Sequence, residues 1–394
     1  MGARATHGQP DPAIRGRGAD GEHLRQVWVD NLKVLLITLI IAIHGVLSYA
    51  GTVEVWTYTE YREVTLHPAT EGVLFILVAP FGFFLIALLF LVAGLLTPGS
   101  VAHKGVGRFA RDRLLRLGVP FAVFVLLLEP TLTYLLEHPL GAAPGSWTEE
   151  YLGAEKALDT GPLWFVGVLL IYSLAYAAWV ALRPRRRPRW TRITFSGLLV
   201  TVAVVAPCSF LVRLVYPYGS EAGRSDLQFW EWPACIAAFG LGVVAWRAGW
   251  LEKVPERLAR QCRAVSLLAL AAMAALLLGA GLTDRIPDAL GGWNPLAAAF
   301  AVIEAPLTIC GPVWLAWVAQ RRLNGRYRGD ALLNRTCYAA FIVQGFVLIG
   351  TAYALRGISA PAELKALVLA VTGVAGSYAL AWLLVQIPGV RQVL

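Results

Sequence analysis

The sequence predicts an all-α, polytopic integral membrane protein with about ten transmembrane helices and both termini cytoplasmic, and three observations predict it. Hydrophobic residues fill 57% of the 394 positions and charged residues only 15%, and the mean hydropathy is +0.61. No soluble domain of ordinary make-up has that balance. Apolar runs of about 20 residues, the length that crosses a hydrocarbon core, recur at 31–50, 74–96, 117–136, 163–182, 193–215, 229–248, 265–282, 295–318, 331–355 and 362–385. The third observation is where the cations fall. Lys104, Arg108, Arg111, Arg113 and Arg116 follow the second run, and Arg183, Arg185, Arg186, Arg187, Arg189 and Arg192 the fourth. Arg247, Lys253, Arg257, Arg260 and Arg263 follow the sixth, and Arg321, Arg322, Arg326 and Arg328 the eighth. The connections between hold isolated cations such as Arg62, Lys156, Arg224 and Arg285. Cytoplasmic loops carry such an excess, so the net charge of +9 reads as topology and excludes a nucleic-acid interface.

Taken in order, residues 1–24 are rich in Gly, Arg, Ala and Pro without an apolar run, and read as a disordered cytoplasmic tail with no cleavable signal. Residues 25–394 form one transmembrane domain. Its first span, DNLKVLLITLIIAIHGVLSY, carries Lys33 and His44. Eleven helical steps of about 100° and 1.5 Å stack these two residues on one face, with His44 about 16 Å deeper. An ionisable group in hydrocarbon costs on the order of 2.5 kcal/mol or more, so His44 should face protein or a water-filled cavity and act there. The plainer alternative is a hydrogen bond that joins two helices.

The connection 51–72 is polar and aromatic, with Trp56, Tyr58 and Tyr61; these read as interface anchors, with sugar binding as the alternative. In the second span Gly94 allows a neighbouring helix to approach closely. The segment GRFARDRLLRLGVP follows. Its Arg113 and Arg116, three apart, share a helical face beside Arg111, and either grip phosphate with forked guanidinium groups or only set topology. The third span carries Glu129 and Pro130, a position where proline kinks a helix. The acidic connection 139–161 with Trp147 reads as a solvated loop or a lid over an outward-facing site. The segment RPRRRPRW reads as a linker lying on anionic headgroups.

The second half carries fewer signals. Arg213, Glu231 and Trp232 fall near the outer ends of spans five and six, where long side chains snorkel. Glu304 sits about a third of the way into span eight, ahead of Pro306 and Pro312. It is a candidate proton partner or orienting group for His44, or else part of a capped helix break. Gln344 lies in apolar surroundings in span nine as a candidate hydrogen-bond partner. The five cysteines include no close CxxC pair. They read as structural thiols, Cys262 within a cytoplasmic connection, without disulfides, zinc or another metal.

Four passages in order carry a resemblance: DNLKVLLITLIIAIH, FFLIALLFLVAGLL, RFARDRLLRLGVPF with its Arg-x-x-Arg pair, and GPLWFVGVLLIYS, with RTCYAAFIVQGF in the penultimate span. The chain resembles the acyltransferase type 3 family of bacterial integral-membrane acyltransferases, and within it the branch that includes the glucan succinyltransferases. The resemblance implies a bacterial plasma (inner) membrane location. It also implies transfer of an acyl group, of the acetyl or succinyl class, from cytoplasmic acyl-CoA to a hydroxyl of a glycan or lipid-linked sugar at the outer face. It makes His44 the essential histidine, Lys33 the basic member of the same helix, and Arg113 and Arg116 the arginine pair. Lysine replaces the more common arginine, which loses a forked contact. Gln344 stands where many relatives carry a histidine.

On this reading Arg111, Arg113 and Arg116 hold the CoA phosphates, Lys33 lines the entrance, and His44 is a general base or forms an acyl intermediate. Glu304 is expected to hold the tautomer of His44. Acyl-CoA is the donor substrate, membrane lipids surround the chain, and no metal is expected. The competing class is a proton-coupled transporter or flippase of a glycan or lipid precursor, with His44, Glu129 and Glu304 as the proton path; no inverted repeat supports it.

Overall fold

The computed structural model describes residues 26–52, 56–137, 159–182, 192–220 and 227–393. The N-terminal tail, most of connection 139–161 and the arginine-rich linker lie outside the described residues, as does Trp147. Ten helices among them are long and apolar enough to cross a membrane, and no strand occurs. They are α1 (Val27–Leu47), α2 (Pro68–Lys104), α3 (Val106–Leu135), α4 (Trp164–Leu182), α5 (Phe195–Val212), α6 (Trp232–Arg247), α7 (Glu256–Leu282), α8 (Pro295–Arg322), α9 (Asp330–Leu355) and α10 (Ala362–Leu384). Among the described residues, the basic connections after α2, α6 and α8 fall at one end of the bundle, called here the basic end, because connections alternate between the two ends of consecutive spans.

Backbones approach closely where glycine removes a side chain. A Cβ on Gly94 of α2 would lie 2.1 Å from the Phe239 carbonyl oxygen, and one on Gly242 of α6 2.1 Å from that of Leu91. The α2–α6 crossing is thus built on paired glycines, as small residues permit in a bilayer. Gly45 plays the same part between α1 and α10, since its Cβ would meet the Ala370 Cα at 2.8 Å. The residue next to His44 is therefore pressed against a neighbouring helix.

Two π-helical turns interrupt α3, at Leu114–Gly118 and Phe124–Leu128. Each ends two residues before a proline, Pro120 or Pro130. A proline ring clashes with the carbonyl four residues earlier and offers no N–H, and the wider π turn absorbs both defects. Residues in a π turn advance by less than the α-helical 100°, which widens the angle between Arg113 and Arg116 while their charges stay close enough to repel one another. Arg113 is half-buried with its guanidinium 5.0 Å above the Phe109 ring, whereas Arg116 is exposed, as is Arg111. Cys262 lies inside α7 and is fully buried, not in a connection, and all five cysteines are free.

The described residues 48–52 and 56–67 lie over the end of α1 opposite the basic end. Glu71 accepts from the Gly51 N–H (2.9 Å) and the Thr52 N–H (2.7 Å). Arg62 donates to the Ala50 carbonyl, and Lys365 of α10 pairs with Glu63. Tyr58 and Tyr61 point inward, 2% and 3% exposed, so they serve as neither interface anchors nor an open sugar platform.

Candidate active site

His44 sits three residues before the end of α1, so it lies about 25 Å along the helix from Val27 and about 5 Å from the far terminus. α1 ends early, however: Gln344, which the ring touches, lies about 16 Å from the far end of α9, so His44 sits at an intermediate level among the spans. The ring is half-buried and held from one side. Its Nδ1 lies 2.9 Å from the Oε1 of Gln344, a residue of α9 with no exposure. The Gln344 Nε2 donates in turn to the Phe341 carbonyl at 3.0 Å. That carbonyl can only accept, so the amide presents its oxygen to the ring, and Nδ1 must carry the proton. The lone pair is thereby left on Nε2, the arrangement a general base needs.

Tyr58 packs on the same imidazole from the capping connection, with ring centroids 5.0 Å apart at 33°. Burial, and secondarily Asp159, pushes its phenol well above the ordinary tyrosine range, so Tyr58 stays neutral.

The Glu304 carboxylate does not hold His44. Arg213 binds it with two contacts of 2.6 Å, Nη2 to Oε1 and Nη1 to Oε2, and the two side chains are 2% and 1% exposed. The guanidinium lies over Tyr218 at 4.9 Å and Phe300 at 5.3 Å. A charge at this depth persists only with a partner, and Arg213 is nearer and opposite in sign, which is why the carboxylate is taken there. Buried Glu231, 4% exposed, borders the same cluster. Arg213 is therefore fully enclosed and does not snorkel.

Tyr218 and Phe300 turn their other sides to a cavity of about 310 Å³ that reaches His44. Ile40, Ile43 and Leu47 of α1, with Leu85 and Ile86 of α2, form much of its wall, Leu277 of α7 lines it too, and one side is open. His44 and Tyr218 supply the polar side chains among its described lining. The structure thus joins His44, Gln344, Tyr58 and this cavity, and places the Arg213–Glu304 pair behind its wall.

The cationic candidates lie elsewhere. Lys33 pairs with Asp30 at 2.8 Å, its side chain 41% exposed at the basic end of α1. Arg111, Arg113 and Arg116 belong to α3, which packs chiefly against α4 and α2. Sequence reasoning named Tyr58 as an interface anchor or sugar-binding aromatic but did not find its contact with His44, nor the Tyr218–Phe300 wall. Tyr58 is one of several aromatics in its connection and no spacing singles it out, while Tyr218 lies far from α1 in the chain.

A family model described as an acyltransferase domain, that of the type 3 acyltransferases, matches residues 26–386. No curated protein matches the chain, and no solved structure matches it.

Proposed function

Because the chain belongs to the type 3 acyltransferase family, and is therefore a multi-pass membrane acyltransferase, we propose that it uses acyl-CoA as donor and a hydroxyl of a glycan or lipid-linked sugar as acceptor. The observation that carries this reading is the imidazole of His44, fixed through Nδ1 by Gln344 and set in the wall of the 310 Å³ cavity. In the proposed step His44 Nε2 takes the proton of the acceptor hydroxyl while its oxygen attacks the thioester carbonyl carbon. The C–S bond then breaks, and the CoA sulfur leaves with the proton returned from His44. General base catalysis of this kind contributes typically about 100-fold to 10,000-fold in rate.

Arg111 and Arg116, exposed at the basic end, and Arg113 beside them are the groups proposed to meet the CoA phosphates, through forked contacts. Lys33 stands at the foot of the helix that ends in His44. With His44 beside Gln344 in the middle of α9, the acceptor and the donor arm approach it from opposite ends of the bundle. The family-implied acetyl and succinyl groups are both within this reading, as is location in a bacterial plasma membrane. Glu304 contributes as an anchor for Arg213 behind the cavity wall.

The test is His44→Ala in protein whose membrane expression matches the parent, assayed for acyl-CoA consumption in lipid nanodiscs and for surface glycan acylation by mass spectrometry. Loss of both is expected. Undiminished acylation would remove His44 as the base.

A further inference from the structure

We propose that the acyl group this enzyme transfers is an uncharged, apolar chain longer than acetyl, and that the cavity beside His44 is its binding site. The inference rests on the acyltransferase reading above and departs from its acetyl and succinyl groups. Three features of the cavity carry it. Its described lining is apolar apart from His44 and Tyr218, so neither a sugar ring nor a carboxylate finds the partners that burial demands. Behind the wall, Arg213 has its charge neutralised by Glu304 and is shielded by Tyr218 and Phe300. Lys33 is engaged at the other end of α1. A succinyl carboxylate would therefore enter the cavity unpaired.

Size decides between the remaining donors. If a chain carbon takes roughly the ~30 Å³ of a liquid water molecule, the cavity of about 310 Å³ holds on the order of ten carbons. An acetyl methyl would touch little of this apolar wall, whereas a longer chain covers it. An acyl chain of roughly four to ten carbons fills the space and leaves its thioester at the end where His44 stands.

Gly82 of α2 gives direct access to the chain-binding space. It lines the cavity, and a Cβ added there meets nothing within 4 Å, so Gly82→Leu should fold while shortening the pocket. The experiment measures binding of non-hydrolysable thioether analogues of acetyl-, hexanoyl-, octanoyl- and succinyl-CoA to the full chain in nanodiscs, with protein-free nanodiscs subtracted. No acceptor is needed. Each additional buried methylene should tighten binding about fourfold, so octanoyl-CoA should exceed acetyl-CoA by well over tenfold and the succinyl analogue should bind weakest. Gly82→Leu should lower the octanoyl-to-acetyl ratio at least about tenfold, and Leu277→Phe, from α7, should lower it in the same direction. Acetyl or succinyl analogues binding as tightly as octanoyl would overturn the chain-length inference and leave the acyltransferase reading standing. An octanoyl preference untouched by both variants would place the chain outside this cavity and overturn the site. Failure of every analogue to bind would overturn acyl-CoA as donor, and the inference with it.

Discussion

Replacing Gln344 with leucine tests the link between geometry and chemistry most directly. Leucine has nearly the volume of glutamine, so the fully buried position on α9 remains filled while the acceptor facing His44 Nδ1 at 2.9 Å is lost. A buried donor left without a partner costs about 1–3 kcal/mol. The ring can escape that penalty only by turning or by moving its proton to Nε2, and either change withdraws the lone pair from the acceptor hydroxyl. Charged to the transition state, 1–3 kcal/mol is about a 5-fold to 150-fold loss. The expected signature is therefore a fall in kcat of that size with KM for the acyl-CoA donor nearly unchanged, because no donor-binding group is removed. Gln344→Glu, which keeps an acceptor oxygen at the same place, should retain more activity than Gln344→Leu. The assay is transfer of radiolabelled acyl groups by protein in nanodiscs at matched concentration. Gln344→Leu activity within about twofold of the parent, well below the smallest predicted loss, would refute the claim that Gln344 sets the tautomer of His44.

Four further predictions follow from the packing and the charges. Gly45→Val drives a Cβ to within 2.8 Å of the Ala370 backbone, an overpacking that costs about 1–3 kcal/mol or more; a lowered thermal midpoint in detergent is expected, and an unchanged one would mean α1 and α10 can separate freely. Glu304→Leu strands the Arg213 charge and should destabilise by about 3–5 kcal/mol, whereas Arg213→Met combined with Glu304→Leu should recover most of that loss; equal damage in the single and double variants would deny the pair. Arg113→Ala with Arg116→Ala should weaken acyl-CoA binding and flatten its salt dependence, while unaltered affinity would return both residues to a topological role. Burial raises the Glu71 carboxyl, but the Thr52 and Gly51 bonds, with Arg62 nearby, outweigh it and hold the group below its ordinary value. Its contribution to the capping connection is therefore complete above the unfolded carboxylate pKa of about 4.3 and is lost as pH falls through the lower folded value. Protease cleavage within 48–67 should rise in acid, and Glu71→Gln should flatten that dependence.

Run length and charge placement in the sequence determined that this chain crosses a membrane about ten times, because hydrocarbon admits only helices of a set length and the excess of basic residues in alternate connections orders them. They also singled out His44, since an ionisable group inside an apolar run is costly wherever it points, and Gly94, since a glycine in a span signals close approach. What touches His44 could not be read the same way. Gln344 is 300 residues away, and its contact arises because α9 and α10 both pack on α1. Glu304 looked like an equally good partner by depth alone, but the fold places Arg213 against it. The Arg-x-x-Arg spacing assumed α-helical rotation, and the π turn before Pro120 widens the angle between the two side chains. Periodicity along one helix reports depth and facing, quantities local to that helix; which of several buried polar groups become neighbours depends on how separate helices cross, and that was settled only by tertiary packing.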